Sequence, residues 1–258
     1  MKIKILTLNL FLPGSNKLFL NALDFLRKEN PDILLLQEIY DAKDANLARK
    51  FRKREEIKKL FPEYFDVYMP VFADARKIEG DINDGQLILS KFPISEIKEV
   101  FIDRGFTKAD HDAVDDWSNF PAGFLSCVVN INGKRIKFIN MHGPVNLNGE
   151  KDDPRRMKLL NLIGDEIEGE EYVVAGGDSN AQPSTQLYSQ LEEELQNPFK
   201  NKLKTTFNLK HKDLKKFPGY AGVVVDMLMC SKNFKVVDHS QPQVDVSDHL
   251  PLVIEIKI

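Results

Sequence analysis

The chain has 258 residues, 36 basic against 39 acidic side chains and a net charge of −3, with 42% hydrophobic and 29% charged residues, 14 Gly and 13 Pro. That composition provides a sizeable apolar core and excludes a collagen, a disordered chain and a disulfide scaffold. It lacks the overall basicity with which proteins hold duplex DNA, so a polyanionic substrate calls for a local basic surface or a metal.

In chain order, MKIKILTLNLF alternates Lys and Ile as a strand does and carries no small-residue cleavage site. Its strand, KIKILTLN, ends on Asn9. Residues 16–30 place Leu18, Leu20, Leu23, Phe25 and Leu26 at helical spacing before Pro31. DILLLQE then reads as a strand ending on Glu38. GQLILS (85–90), ISEIKEVFI (94–102), FLSCVVNI (124–131) and RIKFINMH (135–142) follow as strands, the last ending on His142. Asn132-Gly133 between two of them has the chemistry of a type I′ hairpin turn. A helix is expected over 153–168, with Pro154 early and Met157, Leu159, Leu160 and Ile163 on one side. EYVVAGGDSN brings a strand to Asp178 and Asn180, and VVVDMLMCS (223–231), FKVVDH (234–239) and HLPLVIEIKI (249–258) complete the strands. Two segments read as insertions: 103–122, acidic and aromatic, and 197–222, Lys-rich.

Cys127 and Cys230 fall in apolar, β-branched runs, where thiols are small buried hydrophobes, and they point to a reducing cytoplasm. No stretch approaches the roughly 18 apolar residues that span a bilayer. Helices alternating with strands, and no linker or repeat, predict one domain over 1–258 in which two packed sheets carry helices outside.

The strands share one habit: each apolar run finishes on a polar or ionisable side chain, where rigid backbone meets solvent. Asp178 and Asn180, spaced i and i+2 after two glycines, share one face of an extended chain. Asp248 and His249 open an apolar strand that has no packing use for them. Asp226, among Val, Met and Leu, needs a partner to be buried, and a histidine is a natural one. Carboxylate and amide oxygens suit a hard cation such as Mg²⁺, with Mn²⁺ as a substitute, whereas zinc recruits more His or Cys. A hard metal beside His–Asp chemistry matches hydrolysis of a phosphate ester.

The order LTLN (6–9), LLLQE (34–38), INMH (139–142), GGDSN (176–180), VDMLMCS (225–231) and SDHLPL (247–252) resembles the endonuclease/exonuclease/phosphatase superfamily. The DGQLILSKFPI run (84–94) is similar to that family's strand ending in Ser-Lys/Arg-x-Pro. The resemblance implies a four-layer α/β sandwich of the DNase I type. It also implies that Glu38 is the principal metal ligand with Asn9 and Asp248 beside it, and that Asp178 and Asn180 position water and phosphate. His249, oriented by Asp226, would act as base or phosphate-stabilising group, and His142 would donate to a phosphoryl oxygen or the leaving group. The chain departs from the family pattern at Phe11, where some nucleases carry an Asp, at Val223–Val225, where an Arg often precedes the Asp226 motif, and at Gly143-Pro144.

The resemblance implies a Mg²⁺-dependent phosphodiesterase acting on nucleic acid or a nucleotide-linked ester, and a monomer is expected. Inositol phosphates and phospholipid headgroups are the alternative substrates, and a non-catalytic binding module of the same fold is the rival from another class. Lys210, within the Lys-rich run 200–216, together with Arg155, Arg156 and Trp117, are the candidate substrate-binding residues.

Overall fold

Asn16–Glu29 forms α1 because its apolar residues fall on one stripe and both ends are capped: Ser15 Oγ accepts from the Leu18 N–H at 3.1 Å, and Asn30 closes the C-terminus with φ 43°. The helix joins two parallel strands, β1 (Lys2–Asn9) and β2 (Ile33–Asp41). A second such unit runs from β8 (Lys134–His142) through α3 (Pro154–Ile167) to β9 (Val173–Asp178). There Asp153 caps the helix by accepting from the Arg155 and Arg156 N–H groups at 2.9 and 3.0 Å. The computed structural model describes residues 1–11, 14–74, 82–110, 120–145 and 151–258.

The remaining elements are α2 (Lys53–Leu60), β3 (Phe65–Asp74), β4 (Ile82–Ser90), β5 (Ile94–Phe101), β6 (Thr107–Ala109), β7 (Gly123–Ile131), α4 (Gln186–Glu194), β10 (Leu195–Gln196), β11 (Asp226–Ser231), β12 (Lys235–Ser240) and β13 (Leu252–Lys257). Among the described residues they build a seven-stranded sheet, β12-β13-β1-β2-β4-β3-β6, and a six-stranded sheet, β10-β11-β9-β8-β7-β5. Both sheets are mixed, and together with the helices they form the expected four-layer α/β sandwich. Ile3, Ile5, Ile33, Leu35 and Ile88 of the first sheet meet Leu125, Val129, Phe138, Val174 and Leu228 of the second in the central core. α1 and α2 cover the outer face of the first sheet, and α3 and α4 that of the second.

Cys127 and Cys230 lie in the central core as free thiols, which burial pushes up to about 12, so they are inert at neutral pH. The Asn132-Gly133 turn has the positive φ angles expected, 51° and 78°. No helix among the described residues is long and apolar enough to cross a membrane.

Several elements differ from the sequence reading. β3 escapes it because Pro70 interrupts the run; the strand survives because its register against β4 shifts between Pro70 and Phe72, where an irregularity absorbs the missing N–H. β11 begins at Asp226, not Val223, and β13 at Leu252, not His249, so both motif residues stand at strand entrances. The short helices α2 and α4 also lie outside that reading.

Parallel pairing sends the C-terminal ends of β1 and β2 to one edge of the first sheet, and those of β8 and β9 to one edge of the second. A polar link fixes the two edges together: Gln37 Nε2 donates to Asn140 Oδ1 at 2.6 Å, and Asn140 Nδ2 donates to the Leu36 carbonyl at 2.8 Å.

Candidate active site

On the second sheet, His142 of β8 pairs in register with Asp178 of β9, which pairs in register with Asp226 of β11. The three side chains thus form one row at the edge of the sandwich. His249 arrives from the other sheet, its Nδ1 lying 2.8 Å from Asp226 Oδ2. The Nε2 atoms of His142 and His249 each lie 3.8 Å from Asp178 Oδ2. Burial works against a charged His249, but the carboxylates of Asp226, Asp248 and Asp178 outweigh it and push its pKa up to about 10. Burial raises the Asp226 carboxyl above its usual range in spite of His249. Tyr188 of α4 donates to the Asp226 carbonyl at 2.9 Å, and the Val225 and Asp226 N–H groups donate to Thr206 Oγ1, so the entrance to β11 is held from two sides.

Asp178 divides its two oxygens. Oδ1 accepts the Asn180 N–H at 2.9 Å, a turn that holds Asn180 at φ 50°, and Oδ2 accepts from Asn9 Nδ2 at 3.0 Å. Asn180 Nδ2 donates to the Gly143 carbonyl at 3.1 Å. Gly143 is required here, since a Cβ would stand 2.1 Å from the Ser179 carbonyl oxygen.

On the first sheet, Glu38 adopts φ 56° where the β2–β4 register shifts between Leu36 and Ile39, and this bulge turns its carboxylate into the cleft. Asn9 is fully buried. Its amide nitrogen bridges Glu38 Oε1 at 2.8 Å and Asp178 Oδ2, while its Oδ1 accepts the Phe11 N–H at 3.0 Å. As placed, Asn9 links the two carboxylates through its amide nitrogen while its oxygen accepts from the backbone. Asp248 also faces the cleft and is paired with Lys212. Ser247 Oγ donates to the Asn9 carbonyl at 2.6 Å, tying this loop to the end of β1.

Glu38, His142, Asp178, Asn180, Asp248 and His249 line a cavity of 320 Å³, with Asn9 and Asp226 behind them. One wall is apolar, built by Phe11, Val71, Phe72, Phe120 and Val145. The opposite wall comes from the Lys-rich insertion: Phe207 meets the His249 ring edge-on at 4.9 Å, the Lys212 ammonium lies 4.0 Å from the Phe207 ring centre, and Tyr220 stands beside them.

The structure separates the expected substrate-binding residues. Lys210 does not line this cavity; it faces a neighbouring open groove with Lys202 and Lys204. Arg156 is wholly buried and donates to the Lys151 carbonyl at 2.5 Å and to the Asn180 carbonyl, so it supports the Asn180 turn and does not reach solvent. Arg155 forks onto Asp103 at 2.7 and 3.0 Å and donates to the Phe120 carbonyl at 2.7 Å, which stitches α3 to the 103–122 insertion. Trp117 lies outside the described residues.

Two groups at this edge were not singled out by sequence reasoning. Asp84 of β4 faces the cavity, and burial together with the Glu38 charge pushes its carboxyl well above the usual range. Lys53 of α2 is buried, its ammonium donating to the carbonyls of Leu10 at 3.0 Å, Phe11 at 3.2 Å and Glu38 at 3.0 Å. Burial pushes it down to about 8 against the pull of Glu38 and Asp84. Asp84 could have been flagged as one more acid near the start of an apolar strand; nothing in the sequence marks Lys53, which sits in a Lys- and Arg-rich stretch.

The donors at this edge suit a divalent cation in their chemistry: the carboxylates of Glu38, Asp84 and Asp248 are hard oxygens lining one cavity, and Asp84 Oδ1 is buried with no hydrogen-bond partner. Among the described residues only Asp178, Asp226 and His249 bring three ligand atoms within 4.8 Å of one another, and the Asp226–His249 hydrogen bond already engages two of these groups with each other.

The profile of the Endonuclease/Exonuclease/phosphatase family matches residues 6–249. The chain belongs to this family of phosphoesterases and is a phosphoric ester hydrolase. Its fold is shared by an endonuclease/exonuclease/phosphatase from Beutenbergia cavernae (TM-score 0.71, 16% identity, 100% of this chain and 72% of that one). A D. rerio TDP2 humanised by 14 mutations has a TM-score of 0.70 at 14% identity, covering 100% of this chain and 99% of that one. A Bacteroides thetaiotaomicron mannosyl-6-phosphatase has a TM-score of 0.67 at 15% identity, covering 99% and 100%. A search of curated proteins finds no significant match.

Proposed function

We propose that the protein is a Mg²⁺-dependent phosphodiesterase acting on nucleic acid or a nucleotide-linked ester. The observation that carries this reading is the convergence of His142 and His249 on Asp178 Oδ2, both at 3.8 Å, in a cavity whose other edge is acidic. A cation bound by Glu38 and Asp248 would neutralise charge on the phosphoryl oxygens. Asp178 Oδ2, held by Asn9 on one side only, accepts the proton of the attacking water. His249, ringed by carboxylates, donates to a phosphoryl oxygen, and Asp226 fixes its orientation. His142, 23% exposed, has the access to protonate the leaving oxygen.

Nucleic acid is favoured over a small ester by the groove beside the cavity. Lys202, Lys204 and Lys210 line it with Thr205, Asn208, Gln241 and Gln243, and it shares Phe207 with the catalytic cavity. Cationic heads continuous with the reaction site suit phosphates flanking the scissile one. This local basicity supplies what the net charge of −3 lacks.

Hydrolysis of single- and double-stranded DNA, RNA, a phosphotyrosyl-DNA linkage, inositol phosphates and sphingomyelin, with Mg²⁺ and with chelator, tests the reading. Chelator-sensitive turnover of a nucleic acid substrate, lost in Asp178→Ala, is expected. Turnover restricted to inositol phosphates or sphingomyelin overturns the substrate assignment, and turnover unaffected by chelator overturns the metal.

A further inference from the structure

Asp84 occupies a position that packing does not explain. It pairs in register with Tyr40 on one side and Phe72 on the other, it is 3% exposed, and it faces the catalytic cavity. The Gly85 N–H donates to its carboxylate, yet Oδ1 has no partner. The nearby hydrogen-bond donors are committed elsewhere. An ammonium has three protons, and those of Lys53 go to the carbonyls of Leu10, Phe11 and Glu38. The Tyr40 hydroxyl donates to Asp74. A buried carboxylate oxygen without a donor is costly, and a bound ion is one of the few things that would offset retaining it.

The charge balance points to a cation. Glu38 and Asp84 face the same cavity with the buried ammonium of Lys53 behind them, and the Glu38 charge and burial together work against ionising Asp84, so a cation placed between the two carboxyl groups would let both carry charge. Asn9 Oδ1 engages one of its two acceptor sites with the Phe11 N–H, which leaves room for further oxygen donors beside Glu38. We infer that Asp84 is a ligand of the divalent cation, completing with Glu38 a carboxylate pair contributed by adjacent strands β2 and β4. The inference rests on the metal-dependent reading above and adds to it a residue that opens the DGQLILSKFPI run but was given no role there.

The test is Mg²⁺ and Mn²⁺ binding to the full chain, measured by titration calorimetry after chelator treatment, for wild type, Glu38→Gln, Asp84→Asn and Asp84→Ser. Asp84→Asn keeps the shape and is expected to bind roughly 10- to 100-fold more weakly, as does Glu38→Gln. The melting temperature of metal-free Asp84→Asn is expected to equal or exceed that of wild type, because a buried unpartnered charge has gone, while the rise on adding Mg²⁺ shrinks. Asp84→Ser repeats the comparison should the amide disturb folding. Wild-type metal affinity in both Asp84 variants beside a loss in Glu38→Gln overturns the assignment of Asp84 and leaves the metal reading standing. A raised KM with unchanged metal affinity moves Asp84 onto the substrate and likewise overturns it. No binding by wild type removes the metal reading itself.

Discussion

His249 Nδ1 and Asp226 Oδ2 lie 2.8 Å apart, and both side chains are closed to solvent although they enter from different sheets. The carboxylate accepts the Nδ1 proton and so aims Nε2 at the cavity. Asp226→Asn would offer an amide donor in its place and invert the tautomer. A fall in kcat of about 10³- to 10⁴-fold with little change in KM is expected from steady-state kinetics. A loss smaller than tenfold would make the pair structural.

Lys53 stands in for a structural ion, fastening the loop after β1 to the β2 bulge through three backbone carbonyls. Lys53→Met fills the volume and leaves those carbonyls without a donor. Urea unfolding should show a loss of about 2–4 kcal/mol, and Mg²⁺ affinity should drop with it because Glu38 is no longer held at φ 56°. Destabilisation without a change in metal affinity would confine Lys53 to folding.

Far from the cavity, Glu166 on α3 accepts from Lys137 at 2.5 Å, Lys98 at 2.7 Å and Ser126 at 3.0 Å. Burial opposes its charge, but these donors outweigh it and hold the carboxyl below its ordinary 4.5. A depressed folded-state pKa contributes stability that is present above pH 4.5 and lost as pH falls through the lower folded value. Glu166→Gln, which leaves the buried Lys137 with only its 3.3 Å contact to Glu170, should lose about 1.5–3 kcal/mol at pH 7. The gap to wild type should close below pH 4.5 in melts taken across pH.

Neutralising Lys202, Lys204 and Lys210 together should flatten the slope of log affinity against log salt by roughly 2 for a single strand. Turnover of a dinucleotide, too short to reach the groove, should not change. An unaltered slope would return the groove to ordinary surface.

Lys212 acts closer in, between Asp248 and the Phe207 ring. Lys212→Ala should raise KM about tenfold while leaving kcat within a few fold, since one charge-assisted contact of about 1.5 kcal/mol is lost. A fall in kcat with KM unchanged would place the ammonium on the transition state instead.

Much of this edge was legible because polar residues flanking apolar runs are easy to read: His142 and Asp178 close strands, and Asp248 and His249 precede one. Glu38, read as a strand end, reaches the same cavity from a bulge inside β2. By type Arg156 reads as a phosphate clamp, whereas its partners decide otherwise: the Asn180 and Lys151 carbonyls take its guanidinium. Hydrogen-bond partners distant in sequence leave no periodic signal. The same holds for Lys212, chosen over Lys210 by the path of a loop whose composition is Lys-rich throughout.

The row of His142, Asp178 and Asp226 sits on three adjacent strands in direct register. Neighbouring strands are separated by about 4.8 Å whatever their side chains. The spacing of the reacting groups is therefore a repeat distance of the backbone ladder, insulated from changes in the insertions that wall the cavity. Such a ruler lets the loops around it be exchanged for new substrates while the chemistry keeps its measure.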